Sequence, residues 1–294
     1  MNTRIAFAAP LRDWIVHNLV RGIPPQPLAR DLAQQGFEAD VARDLVHTLW
    51  QALASGATLP DGANEPAQIA AATFRRDPCR LALANVAGEP RTRVAARMER
   101  PTLAVLDNVL SEAECEQLIA LATHRLAPST MVDPASGSDL ASTARSSDSM
   151  FFRLQENALL ARIDSRVSQL MNLPLENGEG LQVARYRGDA HSAPHFDFLM
   201  PTNPANLASL ARSGQRVSTL VLYLNDVEEG GETVFPESGF AVAPRKGGAL
   251  YFEYGNRAGQ LDAASLHAAA PAAGGEKWIA TKWMRQRKFV PAGA

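Results

Sequence analysis

The sequence predicts an α+β chain in which a small helical N-terminal region precedes a jelly-roll-like β-barrel with supporting helices. Three observations lead there. Up to about residue 92, apolar residues recur at helical spacing. Beyond it, short strand-like runs alternate with Gly, Pro and Asn turns, and all four tyrosines lie between 186 and 254. Within those runs His195 and Asp197 stand two apart, the spacing that puts both side chains on one face of a strand.

Leu11, Trp14, Ile15 and Leu19 share one helical face, and Val41, Leu45, Leu49 and Leu53 share another. Pro24, Pro25 and Pro27 break the chain between them, a short helix is expected from Leu28 to Gln34, and Gly56 ends the second long helix. Trp50 belongs to this helical core, while His17 and His47 read as surface or satisfied groups. Thr58 to Pro66 reads as a linker and Pro66 to Arg75 as a further short helix. Residues 1–92 carry no candidate site residue, so they read as a packing or dimer-forming accessory more than as a substrate-capture unit. Their removal should leave the chemistry of residues 93–294 intact.

Thr102 to Leu106 reads as the strand that enters the second unit. Ser111, with Glu114 three residues later, is the signature of a capped helix running to about His124, whose ring suits a helix C-terminus. Pro128 to Arg145 reads as a mobile loop, Leu159 to Met171 as a second helix packed on a sheet, and Pro201 to Ser213 as an insertion overhanging the pocket mouth.

Composition narrows the function. A net charge of −2 gives no field that would favour nucleic acid or anionic membrane. No apolar run is long enough to span a bilayer, and the N-terminus lacks the pattern of a signal peptide, so a cytoplasmic protein is expected. Cys79 and Cys115 are the only cysteines, too few for a disulfide framework or a zinc cluster, and Cys115 reads as a small core residue.

The chemistry lies in His195, Asp197 and His267. Two imidazoles and one carboxylate on one side of a metal leave other coordination positions open, as in the facial triad of non-haem Fe(II) oxygenases. H-x-D alone is a weak signal, and Lys277 sharpens it. Only Lys246, Lys277, Lys282 and Lys288 are lysines in a chain with 29 Lys and Arg, so a lysine in the strand-like run Lys277-Trp278-Ile279-Ala280-Thr281 is not the default basic residue. It could hold the far carboxylate of a bidentate co-substrate; the bland alternative is a solvated lysine on an edge strand. His191 precedes His195 by four residues, but Ser192-Ala193-Pro194 suggests a bend, and a rim or surface histidine is the expectation.

The stretch from Leu181 to Trp283 resembles the catalytic core of the prolyl 4-hydroxylase family, Fe(II)- and 2-oxoglutarate-dependent dioxygenases with a double-stranded β-helix fold. The segments that carry the resemblance begin with Gln182 to Tyr186, Pro194 to Asp197, Gly214 to Thr219 and Tyr223 to Asp226. They continue with Glu228 to Pro236, Ser265 to His267 and Gly275 to Trp283. A weaker match runs upstream through Val109 to Cys115 and Arg145 to Ser147. The resemblance implies that His195, Asp197 and His267 hold iron and that Lys277 pairs with the distal carboxylate of 2-oxoglutarate. It places Tyr223 and Thr281 near that carboxylate, Tyr186 beside the co-substrate, Arg216 and Trp283 on the substrate side, and Arg145 to Ser147 over the entrance. It also implies O2 as co-substrate, ascorbate as reductant, release of succinate and CO2, and a peptide or protein substrate.

One position departs. Collagen-type relatives carry a tyrosine three residues before the first iron histidine, near the target proline; here that residue is Ser192. Hydroxylation of a non-prolyl side chain or a free amino acid therefore stays open beside prolyl hydroxylation. So does a different class: a metal-binding or interaction module on an oxygenase barrel, or a zinc hydrolase with the same ligands. Lys277 speaks against hydrolysis, which needs no 2-oxoglutarate clamp.

Overall fold

The computed structural model describes residues 5–6, 9–60, 63–64, 74–83, 91–132, 139–141, 146–273 and 275–292. Six helices are described: α1 Ala9–Val20, α2 Pro25–Gln34, α3 Ala39–Ser55, α4 Glu112–Thr123, α5 Ala158–Met171 and α6 Pro204–Ser213. The strands are β1 Ile5–Ala6, β2 Ala63–Asn64, β3 Arg93–Met98, β4 Leu103–Asp107, β5 Ala127–Pro128, β6 Thr130–Val132, β7 Asp139–Ala141 and β8 Asp148–Phe152. They continue as β9 Leu181–Arg187, β10 Ser192–His195, β11 Arg216–Tyr223, β12 Thr233–Phe235, β13 Phe240–Val242, β14 Ala249–Glu253, β15 His267–Ala269 and β16 Glu276–Arg285.

The barrel is a double-stranded β-helix made of two antiparallel sheets. The larger has eight strands in the order β3-β4-β14-β11-β16-β9-β8-β5, and the smaller has four in the order β10-β15-β12-β13. Strand alternation gives the larger sheet two different faces. Its inner face presents Ala184 and Tyr186 from β9, Val221 and Tyr223 from β11, Leu250 and Phe252 from β14 and Ile279 from β16. These share a core with Phe235 and Val242 of the smaller sheet. Its outer face presents Val183, Leu220, Leu222, Tyr251, Ala280 and Met284, which pack with Leu118 of α4 and Leu160, Ile163, Val167 and Leu170 of α5. These four α5 residues are fully buried, worth about 1.5–3 kcal/mol each.

The two outer helices begin as their sequences direct. Ser111 and Glu114 form a reciprocal capping box on α4. Glu114 also accepts two bonds from Arg166 of α5, at 2.7 and 3.0 Å, so the cap fastens one helix to the other. Asn157 caps α5, and Asn172 ends it in the left-handed conformation.

At the N-terminus, α3 stops at Ser55 because Gly56 takes φ 69°. The prolines do more than break the chain: Pro25 opens α2, where its missing N–H costs nothing. Trp14 departs from the expected buried face and is 38% exposed. The expected helix from Pro66 falls mainly on residues outside those described. The expected loop from Pro128 contains a short hairpin, with Thr130 to Val132 paired to Asp139 to Ala141. Residues 201–213 contain α6, capped by Asn203. Cys115 is a buried thiol whose pKa burial raises to about 11, fitting a core role. No helix among the described residues is long and apolar enough to cross a membrane.

Candidate active site

The smaller sheet brings two of the three candidate ligands together by register. His195 ends β10, His267 begins β15, and the two are direct cross-strand partners. Their rings lie 4.4 Å apart between centroids. Each Nδ1 lies 3.0 Å from a main-chain carbonyl, that of Ala193 for His195 and that of Ser265 for His267. A carbonyl can only accept, so both Nδ1 atoms donate and both Nε2 atoms are turned toward Asp197. Those Nε2 atoms lie 3.7 Å from Asp197 Oδ1 and Oδ2 respectively. Among the described residues, His195, Asp197 and His267 are the one such group, with ligand atoms all within 4.8 Å of one another.

The expected strand alternation is not what aims Asp197. β10 ends at His195, its pairing is irregular between Ser192 and His195, and Asp197 lies in a bend beyond it. Pro194 lies within β10 but has no N–H to donate, which fits the irregular pairing there. Neighbours from β11 turn Asp197 inward instead. Thr219 Oγ1 donates to Asp197 Oδ2 at 2.6 Å, and Arg216 Nη1 donates to the Asp197 carbonyl at 3.0 Å. Burial would raise the Asp197 pKa; the fields of His267, His195 and Arg216 and the Thr219 bond outweigh it and hold it below the ordinary value.

Lys277 lies on β16 between β11 and β9, so it is no edge-strand lysine. Its register partner is Tyr186, and its side chain is 0% exposed. Nζ sits 5.6 Å from the Tyr186 ring and 5.9 Å from the Tyr223 ring, without a hydrogen-bond partner among the described residues. Burial lowers its pKa to about 8, with Glu232 opposing part of the fall. Gly231, at φ 72°, packs beside the lysine stem, where a Cβ would lie 3.5 Å from Cδ. Tyr223 donates to Thr233 Oγ1 at 3.0 Å. Thr281 lies on the same face of β16 as Lys277 and is also buried.

Arg216 forms a two-point pair with Glu179, at 2.7 and 2.9 Å, and lies over the Trp283 ring at 4.3 Å. Its guanidinium is therefore committed to Glu179 and to Asp197 as well as placed beside Trp283. Trp283 Nε1 is buried without a hydrogen-bond partner among the described residues. Ser192 is buried, with Oγ 3.4 Å from His195 Nδ1. Arg145 lies outside the described residues. Its neighbour Ser146 accepts the His191 N–H at 3.1 Å, which ties that loop to the segment leading into His195. His191 itself stays out of the ligand group; its Nδ1 bonds the Asp189 carbonyl.

Two features were missed in the sequence. Thr219 lay inside a matching segment but drew no role; a hydroxyl among the apolar residues of a central strand was the signal. Nothing in the sequence suggested the second. Trp50 of α3 packs against Phe196 and Phe198, with centroids 5.8 and 5.7 Å away. Helix α3 thus touches the residues on both sides of Asp197.

The donor set suits Fe(II), and a buried ammonium without a partner suits a carboxylate brought in beside it. Fold and site together define an iron oxygenase. Residues 181–285 match the 2OG-Fe(II) oxygenase superfamily. The chain is 39% identical over 202 residues to prolyl 4-hydroxylase 1 of Arabidopsis thaliana, covering 64% of this chain and 70% of that protein. It is 33% identical over 219 residues to probable prolyl 4-hydroxylase 7 of the same plant, covering 68% of each. A solved structure of the viral collagen prolyl hydroxylase from Paramecium Bursaria Chlorella virus-1, as its 2OG complex, is 28% identical, with a TM-score of 0.49 and coverage of 62% of this chain and 95% of that one. The chain belongs to the prolyl 4-hydroxylase family of Fe(II)- and 2-oxoglutarate-dependent dioxygenases. Fe(II) and 2-oxoglutarate are its cofactors.

Proposed function

We propose that the protein hydroxylates a prolyl residue in a peptide or protein, with His195, Asp197 and His267 holding Fe(II). Lys277 then takes the distal carboxylate of 2-oxoglutarate. The observation that carries this reading is the Lys277 ammonium, fully buried without a hydrogen-bond partner on the inner face of the barrel. A buried charge of that kind calls for an anion.

Bound iron supplies O2 activation coupled to decarboxylation of 2-oxoglutarate, giving succinate, CO2 and a hydroxylated C–H. The chain's own part is positioning. The Ala193 and Ser265 carbonyls fix both imidazoles with Nε2 toward the metal. Thr219 holds one carboxylate oxygen of Asp197. Tyr186 and Tyr223 wall the Lys277 charge, and Thr281 extends that face. Trp283, braced by Arg216, and the Arg145 to Ser147 loop form the substrate side. Ascorbate serves as reductant. Residues 93–294 make the dioxygenase domain, and residues 1–92 a packing or dimer-forming accessory region. Composition favours the cytoplasm.

Ser192 favours a second reading, hydroxylation of a non-prolyl side chain or a free amino acid, because a small buried hydroxyl stands where collagen-type relatives carry a tyrosine. The test is anaerobic loading with Fe(II), then O2, 2-oxoglutarate and ascorbate with panels of proline peptides, other peptides and free amino acids. Succinate release coupled to one added oxygen on a prolyl ring supports the first reading. Oxygen added only elsewhere supports the second, and no 2-oxoglutarate binding or consumption overturns both.

A further inference from the structure

We propose that Trp50 is a positioning residue for the iron ligands, so that the N-terminal helical layer helps to shape the catalytic centre. This rests on the assignment of His195, Asp197 and His267 as ligands.

Phe196 and Phe198 are the neighbours of Asp197 in the chain. Their rings stack on each other at 4.6 Å with 24° between planes. Trp50 closes the cluster, lying tilted on Phe196 and edge-on to Phe198. Phe198 in turn meets Tyr254 at 5.8 Å, and the Tyr254 hydroxyl is 3.2 Å from Thr219 Oγ1, the donor to Asp197. Trp50 is 2% exposed and Phe198 4%, so the cluster is closely packed, and a packed interior transmits displacement.

This matters because no strand holds Asp197. β10 ends at His195, so the place of residues 196–198 depends on side-chain packing and on the bonds from Thr219 and Arg216. Trp50 is the part of that packing contributed by α3.

The next residue reaches the segment that leads to the other ligand. Gln51 Nε2 donates to the Leu261 carbonyl at 2.7 Å, inside the protein. Downstream of α3, Asp77 accepts the Arg257 N–H at 2.7 Å, and Arg80 pairs with Glu253 at 2.7 Å. Trp50, Gln51, Asp77 and Arg80 thus engage the chain beside Asp197 and the 253–261 segment that approaches His267. A region that merely covers apolar surface has no reason to engage both.

The test uses the full-length apo protein, titrated without oxygen with Co(II), whose absorption reports its ligand geometry. Unfolding temperature is measured alongside, and the ratio of 2-oxoglutarate consumed to product hydroxylated after Fe(II) loading. Trp50→Ala should weaken Co(II) binding roughly tenfold or more, alter the spectrum and raise the ratio. Trp50→Phe, which keeps a ring, should stay near the wild type. Leu45→Ala removes a fully buried side chain from the same helix; it should lower the unfolding temperature and leave Co(II) binding unchanged. If Trp50→Ala fails to fold, Trp50→Leu must show the weakened binding in its place. Wild-type affinity and coupling in a folded Trp50→Ala or Trp50→Leu overturns the proposal. So does equal loss of affinity in Leu45→Ala, which would reduce the effect to general destabilisation. A wild type that binds no Co(II) instead overturns the ligand assignment beneath it.

Discussion

Thr219 and Asp197 are joined by a 2.6 Å hydrogen bond between central strand β11 and the bend beyond β10. One carboxylate oxygen is thereby fixed before any metal arrives. Thr219→Val keeps the shape and removes the donor. Metal affinity of the apo protein should fall about 10- to 100-fold, read by Co(II) titration. Unchanged affinity would show that the bond orients nothing.

Lys277→Ala should weaken 2-oxoglutarate binding by about 2–5 kcal/mol, the cost of truncating one partner of a buried charge pair. Metal affinity should hardly move. Calorimetric titration of the Co(II)-loaded protein separates the two, and undiminished 2-oxoglutarate affinity would remove the lysine from its assigned role.

The same residue gives a pH dependence. Burial lowers the Lys277 pKa to about 8, so the proton leaves earlier than from a solvated lysine as pH rises. Only the ammonium attracts a carboxylate. The dissociation constant for 2-oxoglutarate should be flat below pH 8 and rise by about tenfold per pH unit above it, until the pKa of the complex is reached. Lys277→Arg should flatten the rise, because guanidinium stays charged. A profile indifferent to pH in the wild type would contradict the assignment.

Ser111→Ala removes the cap of α4 and should cost about 1 kcal/mol of stability, with turnover per folded molecule unchanged. Denaturant unfolding and active-site titration measure the two quantities. Glu114→Ala should cost more, because the carboxylate also serves Arg166 of α5.

The sequence made much of this legible where local rules govern. The Ser111 and Glu114 capping box, the end of α3 at Gly56 and the succession of short strands follow from residue chemistry at fixed spacing. The residues the structure brings together at the candidate site stood out because His195, Asp197 and His267 are few in kind and fall in matching segments, with Lys277 beside them. What stayed hidden was long-range. Alternation explained two residues on one face of a strand, but β10 ends at His195, before Asp197, and the aim of the carboxylate comes from Thr219 and Arg216. Trp14 showed the periodicity of a buried residue, yet whether a helical face is covered depends on partners far along the chain. The contact of Trp50 with Phe196 spans the whole distance between the two regions, and no spacing encodes it.

Strand β16 carries Lys277 and Lys282 five positions apart, and an odd spacing sends them to opposite faces of the sheet. Lys282 is held beneath α5 by Asp164 at 2.8 Å, with both side chains 1% exposed, while Lys277 faces inward. Sliding β16 by one residue would exchange the faces. Asp164 would lose its cation, at a cost of about 3–5 kcal/mol, and the Lys277 ammonium would be driven into the apolar layer under the helices. The two lysines therefore act as a key cut on both edges. Only one alignment of the strand seats both, with Lys282 against Asp164 and Lys277 on the inner face of the barrel.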